Sequence, residues 1–389
     1  MENDPNSNKP EETPPPEPQG ANGDNTPQSS SPTGGSAGYG YPPDGATSVF
    51  TQMSPAVAEK VASATLRSLG NRSSGLLLLT QLLAGAVMFV IIIARTVLSL
   101  RGSAGNPTEI TKALSLTGGT MILYTYIATF WGMVLCLVIA RSMLRQRVFD
   151  WWRKPRTPLS FLAESVVLMF GAVCVGEILS AAVTYLFSRF GISNGTPNFE
   201  LKGDRTTDAV LIVYVCILAP ILEETLFRGM ILQSLRPWGD RFAVVVSALL
   251  FGVFHMNLVQ GVAAFCMGLV LGLIAVRSGS VLPGIFVHFL NNTLSMVLMT
   301  AGVNTNSVLQ QGYLGILVVC LLGSAALMYY RRADFAISNM QQTQAPPARH
   351  RYRTFLLQSA WFWVLIAMFA LTCVLLALSP QSALLQKVS

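Results

Sequence analysis

The chain runs again and again through stretches of about twenty apolar residues, the length a helix needs to cross a bilayer. They fall near 75–98, 116–140, 159–187, 209–235, 242–258, 260–276, 281–300, 312–330 and 355–378. In lipid, every backbone amide and carbonyl must be bonded within its own helix or within a closed barrel. Continuous apolar runs of this length, without the period-2 alternation of barrel strands, select helices. The expectation is therefore an all-α, polytopic transmembrane helical bundle of about nine spans, with a core of seven to eight. Composition agrees, since only 12% of residues are charged and 51% are hydrophobic, against about 25% charge in a soluble domain.

A net charge of +7 could suit nucleic acid, but the distribution argues for a membrane instead. The basic residues cluster in short loops: Arg141, Arg145, Arg147, Arg153, Lys154 and Arg156 after the second run, Arg236 and Arg241 after the fourth, Arg277 after the sixth. Arg331, Arg332, Arg349, Arg351 and Arg353 follow the eighth, whereas the loops 256–260 and 301–311 carry no Lys or Arg. That alternation predicts a cytosolic N-terminus and an external C-terminus. The expected setting is an integral protein of the cell (plasma) membrane, whose partners are the lipid bilayer and a membrane-tethered peptide or protein substrate, with no nucleic acid. All six cysteines lie in or beside apolar runs without CxxC spacing, so they read as small buried hydrophobes.

Along the chain, 1–52 is a Pro/Ser/Gly-rich tail that cannot bury enough apolar surface to order itself, and is expected to be disordered. Residues 53–158 hold a mildly amphipathic stretch to about Leu69, opened by Ser54-Pro55 and expected to lie on the membrane surface, followed by two spans. Residues 159–330 form the expected functional core, and 331–389 a basic cytosolic loop with a last span. His350 sits in that loop as a solvated residue. Gly268 and Gly272 form a GxxxG, read as a site of close packing within the bundle.

The apolar runs also hold ionisable groups, each costing roughly 2.5–3.5 kcal/mol near mid-membrane unless it is paired or wet. Glu223, Glu224 and Arg228 lie in the fourth run, His255 in the fifth, His288 and Asn292 in the seventh, and Glu177 in the third. On a helix, positions i and i+4 share a face. Glu224 can therefore pair with Arg228, Phe251 can pack on His255, and His288 and Asn292 can face one cavity. Glu223 is turned about 100° from Glu224, so the two acids should need different partners, with Glu224–Arg228 as a neutral structural pair and Glu223 left for chemistry. Glu177 is expected to hydrogen-bond within the bundle or to pair with Arg228. Partial burial and aimed donors are what amide hydrolysis asks of a glutamate base and its oxyanion partners.

Glu223-Glu224-x-x-x-Arg228, Phe251-x-x-x-His255 and His288-x-x-x-Asn292 together resemble, in order and on successive membrane helices, the three motifs of the CAAX prenyl protease and bacteriocin-processing (ABI, or CPBP) family of intramembrane proteases. The resemblance covers roughly 160–300. It implies an intramembrane endopeptidase in which Glu223 and His255 activate a water. It also implies that His288 and Asn292 stand on the oxyanion or metal side, with Glu224 and Arg228 supporting the geometry. HExxH is absent, but Glu223, His255 and His288 could supply the three protein ligands of a catalytic zinc; a metal-free, glutamate-driven attack uses the same residues, and both stand at this level.

Two other readings remain open: a non-catalytic or bacteriocin-immunity-type member of the same family, and a proton-coupled transporter relaying through Glu177, Glu223 and Glu224. Counting residues also leaves a mismatch of depth, with Glu223 in the inner half of its span and His255 towards the outer half. Tilt, a kink near Pro220 or a shifted boundary would close it.

Overall fold

The computed structural model describes residues 54–102, 118–190, 204–303, 306–332 and 350–377, all within one compact unit, Gly38–Ser389. The expected disordered tail lies outside the described residues, as do most of the 188–208 and 331–354 loops. The described residues form helices and no strand: α1 (Pro55–Gly102), α2 (Gly118–Met143), α3 (Leu159–Ser188) and α4 (Arg205–Trp238). After a turn at Gly239 come α5 (Asp240–Phe254), α6 (Leu258–Ser278), α7 (Leu282–Thr300) and α8 (Ser307–Tyr330), and finally α9 (Arg351–Leu356) and α10 (Ala360–Ala377). Eight of these are long and apolar enough to cross a membrane, and the protein is an integral membrane protein.

Two expectations need correction. The fifth run, 242–258, expected as a span, is α5, only 15 residues long. At 1.5 Å per residue it reaches about 22 Å, short of the ~30 Å hydrocarbon core. Asp240 and Arg241 bound it at one end. At the other, Met256 takes a positive φ of 51° and the Asn257 side chain accepts the Gln260 amide at 3.0 Å, capping α6. So α5 and α6 form a helical hairpin that turns within the bundle. The hairpin closes tightly because a Cβ on Gly252 would lie 2.6 Å from the Gly261 carbonyl oxygen, and one on Gly268 would lie 3.0 Å from Ala248 Cα.

The second correction concerns the stretch to Leu69, which is not a separate surface helix. It is the first part of α1, 48 continuous residues or about 72 Å, more than a bilayer can cover. Ala62 and Leu66, on one face at i, i+4 spacing, are fully buried in the same apolar cluster as Phe355.

α4 is not a uniform helix. Val213–Leu218 and Thr225–Ile231 are π-helical turns either side of the α-helical Ala219–Glu224. Pro220 explains the first. The Ala219 amide reaches back five residues to Tyr214, and proline has no N–H to offer the next carbonyl, that of Val215. In the second, the Leu232 amide bonds Phe227. The Arg228 carbonyl accepts from Gln233 Nε2 at 3.0 Å, and the Phe227 carbonyl also accepts from Ser247 Oγ at 3.1 Å.

The basic segments meet at one end of the bundle. Arg153 Nε donates to Gly279 O at 2.7 Å, the Arg156 amide to Ser278 O at 2.8 Å, and Arg351 to Trp238 O, while Arg331 pairs with Glu164. Because the α5–α6 hairpin adds two passes or none, the parity between Arg156 and the C-terminus is the same either way. A reporter fused after Arg156 and one fused at the C-terminus should therefore report opposite sides of the membrane. Both on one side would mean that a span between them is miscounted.

Candidate active site

Gly239, at φ 118°, turns α4 into α5, and it also sets the depth of the site. Glu223 lies sixteen positions before it and His255 sixteen after it. The two therefore stand at a similar distance, on the order of 20 Å, from the same turn. The depth mismatch disappears because α5 begins at Asp240 and ends at Phe254.

Glu224 and Arg228 are both fully buried, and Arg228 Nη1 donates to Glu224 Oε1 at 2.8 Å. The second arm of the guanidinium reaches Gly268 O at 3.3 Å, and its plane lies over the Phe251 ring, Cζ 4.4 Å from the centroid. The GxxxG thus packs α6 against α5 and also leaves a carbonyl open to the arginine: a Cβ on Gly268 would stand 3.3 Å from Nη2. The buried charge is compensated on both arms, as its survival in a membrane requires. Gly284 is needed for the same reason, since a Cβ there would lie 3.0 Å from Glu224 Oε2.

His288 stands between the two glutamates. Its Nδ1 is 3.1 Å from Glu224 Oε1, and its Nε2 is 3.8 Å from Glu223 Oε2. The two acids do point different ways, but they share one histidine, one on each ring nitrogen; the expectation of separate partners is corrected to that extent. A carboxylate flanked by Arg228 only accepts, so the proton belongs on His288 Nδ1. His255 is oriented in the same way by Phe251 O, 2.8 Å from its Nδ1, and among the described residues its Nε2 takes no hydrogen bond. Phe251 meets His255 edge-on at 4.9 Å and His288 at 6.0 Å. One aromatic ring therefore packs against both imidazoles and the guanidinium.

Glu223, His255, His288 and Asn292 line one cavity of about 460 Å³, within the usual range for a ligand site. Asn292 is committed more than its spacing suggests. Its Nδ2 donates to Val215 O at 2.9 Å, the carbonyl that Pro220 leaves without a partner, and its Oδ1 accepts from Asn291 Nδ2 at 3.2 Å. Asn291, Tyr214 and Glu177 also line the cavity. Sequence reasoning singled out neither Asn291 nor Tyr214. Glu177 was expected to hydrogen-bond within the bundle or to pair with Arg228, whose partner is Glu224, and the transporter reading alone grouped it with Glu223 and Glu224. Among the described residues, no group of three or more His, Cys, Asp and Glu side chains is gathered closely enough to hold a metal ion. The described cysteines are all free.

Residues 205–294 match the family model described as type II CAAX prenyl endopeptidase Rce1-like, so the resemblance read from the three motifs is borne out. The chain is similar to an Escherichia coli protein named "Uncharacterized 24.3 kDa protein", 33% identical over 106 residues, 25% of this chain and 49% of that protein. It thus spans about half the length of that relative. It is also similar to the Bacillus subtilis (strain 168) protein named "Putative membrane peptidase YdiL", 25% identical over 214 residues, 54% of this chain and 84% of that protein. No solved structure matches.

Proposed function

We propose, from a site whose motif residues all fall inside the stretch matching the Rce1-like family, that the protein is an intramembrane endopeptidase that hydrolyses a peptide bond of a membrane-associated protein or peptide. The observation that carries this reading is the asymmetry of the two glutamates. Glu224 is buried and held by Arg228, while Glu223 opens onto a cavity it shares with two histidines oriented from behind. The support from comparison is the family match and the similarity to a protein named as a membrane peptidase.

In this mechanism Glu223 takes a proton from a cavity water as that water attacks the scissile carbonyl, and returns it to the leaving amine. His255, with its Nδ1 proton on Phe251 O, presents Nε2 as an acceptor that holds the water. The second Asn292 amide proton, the one not on Val215 O, serves the oxyanion. His288 presents an acceptor at Nε2 when singly protonated. A second proton makes that nitrogen a donor, in a cation with a carboxylate on either side. Glu224 and Arg228 fix the ring from behind.

Glu223, His255 and His288 are the ligand types a catalytic zinc takes, with both Nδ1 atoms oriented by outer partners. Among the described residues they are not gathered as a ligand set, and in the reading proposed here Glu223 serves as the base without one. The test is cleavage of a membrane-tethered peptide by purified protein in vesicles, with and without a strong zinc chelator, alongside metal analysis. Cleavage should persist in chelator. Activity lost to chelator, with about one equivalent of zinc that disappears in His255→Ala, would assign the three residues to a metal instead. No cleavage in either condition would remove the peptidase reading.

A further inference from the structure

Glu177 has no part in the mechanism above and lies outside the family-matched stretch 205–294, yet it lines the same cavity. Its place is fixed by its neighbours on α3. A Cβ on Gly176 would meet Ala263 Cα at 3.0 Å, and Ser180 Oγ donates to Val259 O at 2.9 Å. These contacts seat one face of α3 on the first turns of α6, beside the hairpin turn that carries His255. Ile178 and Leu179 face outward from the bundle, so Glu177 sits at the seam between the lipid-facing surface and the cavity. It makes no ion pair among the described residues.

The charge balance of the cavity follows. Arg228 cancels Glu224 behind the wall, and among the described residues no Lys or Arg lines the cavity. Beside His255 and His288, the titratable side chains facing it from the described helices include two acids, Glu223 and Glu177. A second carboxylate in a membrane span, spent on neither structure nor chemistry, is expensive unless something cationic comes to meet it. We propose that Glu177 is a specificity-determining residue that selects substrates carrying a basic side chain, Lys or Arg, close to the cleaved bond. The low-dielectric wall makes that pairing stronger than the same pair on a water-exposed surface.

The inference rests on the peptidase reading, and its test separates the two. Membrane-tethered peptides are compared in vesicles, a single residue near the cleaved bond being Arg, Gln or Glu and walked through the flanking positions. At one position, wild-type protein should prefer Arg over Gln by about tenfold in kcat/KM, mostly through KM, as expected for binding energy already realised in the ground state. Glu177→Gln should bring that ratio to about one, Glu177→Asp should restore part of it, and Glu177→Arg should turn the preference towards Glu. A wild-type enzyme that cleaves all three peptides alike, or a preference for Arg that survives Glu177→Gln, overturns the inference and leaves the peptidase standing. Cleavage of none of the peptides by the wild type overturns both.

Discussion

Glu223→Gln is expected to leave expression and thermal stability near the wild type while abolishing cleavage of a membrane-tethered peptide. The substitution keeps the volume and most of the hydrogen-bonding ability of the side chain and removes only its capacity to take a proton. Glu223 is well placed for this test, because its side chain is 14% exposed, opens onto the cavity and stands 3.8 Å from His288 Nε2. The ion-pair partner of Arg228 is Glu224. Loss of a general base costs about 10²–10⁴ in rate, so activity should fall by at least two orders of magnitude. Full proteolysis by the Gln variant would remove Glu223 from the role of base.

Its neighbour should behave differently. Glu224→Gln leaves the Arg228 guanidinium, at zero exposure, without a counter-ion and weakens the hold on His288 Nδ1. Breaking a buried pair by removing one partner costs roughly 3–5 kcal/mol, enough to be a large fraction of a protein's stability. The variant should lose thermal stability as well as activity. Arg228→Met should do the same, because it leaves Glu224 charged and buried. The double change, Glu224→Gln with Arg228→Met, should be less destabilising than the sum of the singles, since no isolated charge remains. Thermal unfolding of the four proteins in one detergent measures this. If Glu223→Gln and Glu224→Gln lowered stability alike, the division of labour between the adjacent acids would fall with it.

That division was already half visible along the chain. A continuous apolar run of about twenty residues can only be a helix in lipid, and helical spacing is local. The partnership of Glu224 with Arg228 and the packing of Phe251 on His255 therefore followed from their i, i+4 positions. The same logic named the carboxylates and imidazoles as the residues to explain, because a bilayer penalises them wherever they go unpaired.

What crosses between helices was decided by the tertiary structure. Whether 242–258 could span depended on where α5 starts and stops, and that was settled by Gly239, by the turn at Met256 and by backbone contact between Gly252 and Gly261. The sharing of His288 by two glutamates is a matter of where α7 stands against α4, a placement that needs Gly284 to let Glu224 approach. Spacing suggested that Asn292 faces a cavity. Its bond to Val215 O could not be read the same way, because it depends on a π-turn that shifts the register of α4 ahead of Pro220. Glu177 shows the limit most plainly. Its sequence position marks it as costly in a membrane, but only the seating of α3 on α6 places it in the cavity. Local periodicity determines which residues share a face of one helix; the faces that meet depend on packing between helices, which no single segment encodes.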